Sequence, residues 1–174
     1  MLKIKYINFL LPILFTLIFS NAIAESKIAF VQMELIIKES IVGKSLINDL
    51  EKINKKNQKF FQENQKQLTK KKKEITDQKN ILSKEEFEKK VISINLEFEK
   101  YKTDSQKKIK LLEKKRNDGM NQIIKELNIL LAEYSDQNKL DFIIDQKFIV
   151  IGKTDYYITD KILKKLDSKI KKIK

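Results

Sequence analysis

The sequence predicts a mostly helical α+β protein: a long antiparallel helical hairpin, coiled-coil-like, on a small β-body. Three observations predict it. One Pro and three Gly in 174 residues are too few breaks for a loop-rich or all-β fold. Apolar residues recur at steps of three and four, in a composition 41% hydrophobic and 35% charged, which marks long amphipathic helices rather than disorder. Short runs that are apolar on both faces stand towards the two ends, the pattern of strands covered on both sides.

Residues 1–24 read as a cleavable signal peptide. Lys3 and Lys5 precede an apolar stretch from Ile7 to Phe19, and Ala22-Ile23-Ala24 supplies small residues at a cleavage site. The apolar stretch is shorter than the ~20 residues of a spanning helix. The expected mature chain begins at Glu25 and is destined for the periplasm. Its charge is the full-length +13 less Lys3 and Lys5, or +11.

The first strand is Lys27-Ile28-Ala29-Phe30-Val31-Gln32-Met33. A brief helix over Glu34–Ser40 and a bend at Gly43 follow. From Leu46 the seam residues are Leu46, Leu50, Ile53, Phe60, Leu68 and Ile75. Asn57, Asn64 and a Lys near 71–72 fall on the same seam, so it is narrow and poorly sealed. Asn57 and Asn64 either specify register or loosen the arm.

Ser83-Lys84-Glu85-Glu86 is a capping box flanked by Leu82 and Phe87 as a hydrophobic staple. A helix therefore starts at Ser83, the preceding one ends near Asn80, and the turn lies at about 81–84. So short a connection makes the two helices antiparallel neighbours. The second seam runs through Phe87, Val91, Ile94, Phe98, Tyr101, Ile109, Leu112, Ile123, Leu127, Leu130 and Tyr134. Counting outward from the turn sets Leu46 opposite residues 118–119. The arms are then about 35 residues, or ~50 Å, long. Gly119, where arm meets body, is either a hinge or a tolerated helical glycine.

Leu140–Asp145 and Phe148–Gly152 read as two more strands joined by a turn at Gln146-Lys147. Thr159 is the expected N-cap of a last amphipathic helix carrying Ile162, Leu163, Leu166, Ile170 and Ile173. The organisation is thus 1–24 signal peptide, 25–45 and 119–174 β-body, and 46–118 hairpin. A body of about 60 residues has difficulty covering both faces of a sheet alone. Ile28, Phe30, Val31, Phe142, Ile144, Phe148 and Val150 are therefore the expected oligomerisation residues, packing against further copies of the chain.

Composition excludes several function classes. There is no Cys and no His, so thiol chemistry, Cys/His metal sites and the commonest general base are absent. No phosphate-cradling, metal-ligating or nucleophile-activating motif is present. The expectation is no enzyme, no cofactor and no metal. Every basic residue except Arg116 is Lys, and the scarcity of Arg argues against specific nucleic-acid recognition. The net positive charge suits an acidic client or an anionic lipid surface, or reflects coding bias.

In order and motif the mature chain resembles the Skp/OmpH family of periplasmic chaperones. The resemblance is carried by Lys27–Met33, Ser40-Ile41-Val42-Gly43-Lys44, Leu140–Asp145 and Ile158-Thr159-Asp160, in that order behind a signal peptide. Tyr157 departs from the Asp usual there, which unsettles the local cap. The resemblance implies a homotrimer in which a small β-body holds three helical tentacles around a cavity. It also implies an ATP-independent holdase for unfolded outer-membrane β-barrel proteins. No client-binding residue carries over by motif. From the residues themselves, Ile92 and Leu96 form a second apolar row near the tip, Phe61 lies beside the seam, and Lys70-Lys71-Lys72-Lys73 forms a positive patch. These are the candidate client contacts; alternatively the apolar three widen the helix–helix contact and the lysines are a solvated face. An envelope adaptor using the hairpin as a docking arm is the alternative function.

Overall fold

The computed structural model describes residues 26–173, so the signal segment 1–24 lies outside the described residues. The elements run β1 (Ile28–Val31), α1 (Met33–Glu39), α2 (Ile41–Asp77), α3 (Lys84–Asn138), β2 (Phe142–Asp145) and α4 (Thr159–Lys169). Two 3-10 turns, Gln146–Phe148 and Thr154–Tyr156, separate β2 from α4. The chain is α+β and mostly α, as its periodicity predicts.

β1 and β2 pair in parallel, Ile28 opposite Phe142 and Val31 opposite Asp145. Parallel neighbours need a long crossover, and here the crossover is the whole helical hairpin. The pair is locked at its start. The Lys27 N–H donates to the Asp141 carboxylate at 2.8 Å, and the Asp141 N–H donates to the Lys27 carbonyl at 2.8 Å. On the other edge of β1, Phe30 bridges to Tyr157, and the Ile158 N–H donates to the Phe30 carbonyl at 3.0 Å.

The second strand of the expected C-terminal hairpin is absent among the described residues. Gln146-Lys147 belongs to a 3-10 turn rather than a hairpin turn. The Asp145 side chain accepts from the Lys147 N–H at 3.2 Å, and this local bond turns the chain away from β2. Residues 149–153 then run without a ladder partner. Their continuous apolar run reads as a strand, but the 3-10 turn carries them away from β2, whose outer edge stays unpaired among the described residues.

The core lies where β1, α1, the root of α2, the C-terminal half of α3 and α4 meet. Ile36, Val42, Ile123, Leu127, Ile162 and Leu166 are fully buried. Their spacing on α3 and α4 follows the i, i+4 rows of helices that pack on one face.

The bend between α1 and α2 falls at Ser40, not at Gly43. Ser40 is buried with extended backbone, and its hydroxyl accepts from the Gly43 N–H at 3.1 Å, so it caps α2. Gly43 is the third residue of the helix. A Cβ there would stand 1.6 Å from the Ile37 carbonyl oxygen. Glycine is thus required by the close approach of α1 to α2, not by a turn.

Thr159 is the first residue of α4, and Ile158 occupies the N-cap position without a side-chain cap. The buried Thr159 hydroxyl instead accepts from the Gln32 N–H at 2.8 Å, fixing the end of β1. α3 closes at Lys139, whose φ of 54° is left-handed, a conformation usually left to glycine.

Gly43→Ala should destabilise the body by about 3 kcal/mol or more, because backbone must move to admit the methyl group. Urea unfolding at fixed protein concentration measures it; a change below about 0.5 kcal/mol would mean the α1–α2 corner yields freely.

Candidate functional site

The candidate site is the outer half of the hairpin. α2 spans 37 residues, about 55 Å at the helical rise, and packs only on α3 beyond its root. The tip between the arms is built as the local sequence dictates. The Glu86 N–H donates to the Ser83 hydroxyl at 3.3 Å, and the Ser83 N–H donates to the Glu86 carboxylate at 3.2 Å. The Ser83 hydroxyl also donates to that carboxylate at 2.7 Å. These bonds hold the Glu86 carboxyl below its ordinary range. Leu82 and Phe87 flank them half-buried. α2 ends at Asp77, a few residues before the expected Asn80, and a turn at 78–82 joins the arms.

Polar groups interrupt the seam. Asn57 is buried and reaches the Lys108 carbonyl at 3.5 Å, a long bond across to α3. Asn64 bonds its own helix, donating to the Phe60 carbonyl at 2.8 Å. The Ser105 hydroxyl is buried with no hydrogen-bond partner. Phe98 and Ile109, both expected to close the seam, are about half exposed.

The two flanks of the hairpin differ. On one, Lys71 crosses to both Glu97 carboxylate oxygens at 2.7 and 2.9 Å, and Lys90 donates to the Gln78 side-chain oxygen at 2.6 Å. At ~100° per residue the other flank carries Gln65, Thr69, Lys72 and Thr76. There a cleft of about 490 Å³ opens over Leu68, Ile75, Phe87, Val91, Ile94 and Phe98. Smaller clefts, of about 220 Å³ over Ile75 and Ile94 and about 250 Å³ over Phe60 and Leu68, open beside the Lys71–Glu97 bridge, so the seam is unsealed on both flanks and most widely on the unbridged one.

The candidate contact residues are dispersed over these surfaces. Ile92 and Leu96 are 59% and 67% exposed and do not widen the helix–helix contact. Phe61 is half-buried, edge-on to Phe60 with ring centroids 5.9 Å apart. Lys70 pairs with Glu74 at 3.8 Å, Lys71 with Glu97, and Lys72 lines the cleft. Among the described residues, Lys72 and Lys73 have no carboxylate within salt-bridge distance. Residues 46–118 hold 21 basic and 13 acidic side chains, a net +8.

At the body, Phe30 and Val31 are buried within the protomer, and Ile144 is half-buried. Ile28, Phe142, Phe148 and Val150 are exposed, Phe148 at 74%. Sequence reasoning passed over several exposed apolar residues, among them Ile47 and Leu111 on the arm, Ile81 at the tip, Ile129 on the body part of α3 and Ile151 beside Val150. Leu111 was visible as an apolar residue one step off the seam at Leu112.

Two comparisons out of three find relatives of the chain. The profile of the family described as Outer membrane protein (OmpH-like) matches residues 27–166. A search of curated proteins returns no match. A crystal structure of a candidate outer membrane chaperone (OmpH-like) from Caulobacter crescentus CB15 is similar at a TM-score of 0.78 and 17% identity, covering 86% of this chain and 89% of that one. That likeness shows the fold.

Two measurements test the arm. Asn57→Leu should stabilise it by about 1 kcal/mol, since a seam amide with one long bond is replaced by an apolar side chain; urea unfolding reads the gain, and a loss would show that the amide holds the register. The Glu86 carboxyl is depressed in the folded state, so its share of tip stability is present above the unfolded value near 4.5 and is lost as pH falls through the folded pKa. The protection of amides 84–88, taken relative to intrinsic exchange at each pH, should therefore fall in acid, and Ser83→Ala should abolish that pH dependence.

Proposed function

The chain belongs to the family of OmpH-like outer membrane proteins, and from that premise we propose that it is an ATP-independent periplasmic holdase for unfolded outer-membrane β-barrel proteins. The single observation that carries the reading is the unsealed flank of the hairpin. A structural coiled coil buries its seam on both sides; this one leaves Leu68, Ile75, Val91, Ile94 and Phe98 at the floor of an open cleft. An unfolded barrel strand presents apolar residues at every second position, and a shallow apolar cleft on a long arm shields such residues weakly and reversibly.

Charge supports capture. The arms' net +8 attracts acidic chains over a distance of about 10 Å at ordinary ionic strength. Lys72 adds a contact at the edge of the cleft, and Ile92, Leu96 and Lys73 add others elsewhere on the arm, so a client wraps rather than docks in one pose. The same lysines suit an anionic lipid surface as a further partner.

The active form in this reading is a homotrimer. Ile28 and Phe142 at the start of the two-stranded sheet, and Phe148, Val150 and Ile151 beyond it, are apolar residues that the protomer leaves exposed. Burying that apolar surface against copies of itself stabilises the body, and brings three arms to one end, around a shared cavity. The reading of residues 1–24 as an export signal supports the periplasm as its location.

The test uses residues 25–174 and an outer-membrane barrel protein diluted from urea. Light scattering should fall nearly to baseline at equimolar trimer, less so at high salt. Suppression insensitive to salt would remove the role given to the lysines. No suppression at several-fold excess would replace the holdase by an envelope adaptor, for which the exposed Ile92–Leu96 row is the natural docking surface.

A further inference from the structure

α4 ends at Lys169, and the chain leaves it extended at Ile170, φ −138° and ψ 137°. It does not run into solvent. Ile170 and Ile173 are half-buried against the core. Ile173 lies at Gly119: a Cβ there would stand 3.3 Å from the Ile173 Cδ1 and 2.7 Å from the Leu46 Cδ1. Gly119 and Leu46 are where the two arms enter the body, so one tail residue touches the root of both. Lys172 and Ile173 form one wall of a cleft of about 430 Å³ whose other walls are the arm roots, including Asp49, Leu111 and Lys115.

Two polar anchors precede the tail. The Asp167 carboxylate accepts from the Ile41 N–H at 2.7 Å, holding the first turn of α2. Lys169 lies 3.4 Å from Glu126 and 4.0 Å from Glu133, both on α3. The end of α4 and its tail therefore grip both helices of the hairpin at its base.

We infer that residues 167–173 form a strap that fixes the angle of the hairpin to the body, with Ile173 as its latch on Gly119 and Leu46. Gly119 is a latch seat, not a hinge: the missing side chain is the space the Ile173 and Leu46 methyl groups occupy. Releasing the latch frees the arm to swing about its root. In the holdase reading that swing sets how wide the arms open, but the strap itself is independent of what the arms hold.

The test compares hydrogen exchange in residues 25–174 with a form ending at Lys169 and with Ile173→Ser. Losing one partly buried apolar contact should speed exchange at 45–50 and 111–122 on the order of ten-fold, while the tip at 84–95 and strand β1 keep their rates. Lys172→Gln should change neither. Unchanged exchange at the arm roots in Ile173→Ser overturns the strap. So does an equal rise over the whole protein, which would make the tail general core cover. If the shortened form fails to fold, Ile173→Ser alone decides.

Discussion

Everything in this protein hangs on the parallel pairing of β1 with β2. Parallel strands cannot be joined by a tight turn, so the chain must leave the body and return from the same side. A 37-residue helix and a 55-residue helix make that excursion, which is the working part in the proposed holdase. The Lys27–Asp141 clamp joins residues 114 apart in sequence, and the whole hairpin lies in the loop it closes. Body and arms are therefore not separable modules. The Thr159 hydroxyl on Gln32 and the Asp167 carboxylate on Ile41 tie the last helix into the same knot of contacts.

Along the arm, stability and openness compete. Sealing the seam with apolar residues would stiffen the hairpin and hide its interior. Asn57, Asn64 and Ser105 instead occupy it, and Lys71 with Glu97 bridges only one flank. Each exposed ion pair contributes little, about 0–1 kcal/mol, so the arm is held mainly by a discontinuous apolar row. Such an arm keeps its helices while leaving side chains uncovered for a partner.

The body has the opposite fault. Its core of Ile36, Ile123, Leu127, Ile162 and Leu166 is fully buried, yet the adjoining sheet has two strands and a rim of bare apolar residues. Phe30 and Val31 are spent on the protomer's own core, which leaves Ile28, Phe142, Phe148 and Val150 as the surface that copies of the chain would share in the proposed trimer.

The sequence by itself determined what short-range physics decides. The capping box at Ser83 needs only four residues, and it starts α3 where Ser83-Lys84-Glu85-Glu86 says. Heptad spacing made the hairpin legible, and counting from the turn brought Leu46 to Gly119. The tertiary structure decided whatever depends on a neighbour distant in sequence. Phe148–Gly152 is apolar on both faces like a strand, but the 3-10 turn before it carries it off the open edge of β2. Gly43 looked like a bend and is a point of close approach to Ile37. Thr159 looked like a cap and is a clasp on Gln32. Phe98 steps correctly onto the seam, yet it is half exposed because the opposing helix carries Gln65, Thr69 and Lys72 beside it. Which flank of the hairpin opens more widely, and where the C-terminal tail lies, were fixed by packing between elements far apart in the chain, and a periodic pattern carries no record of that packing.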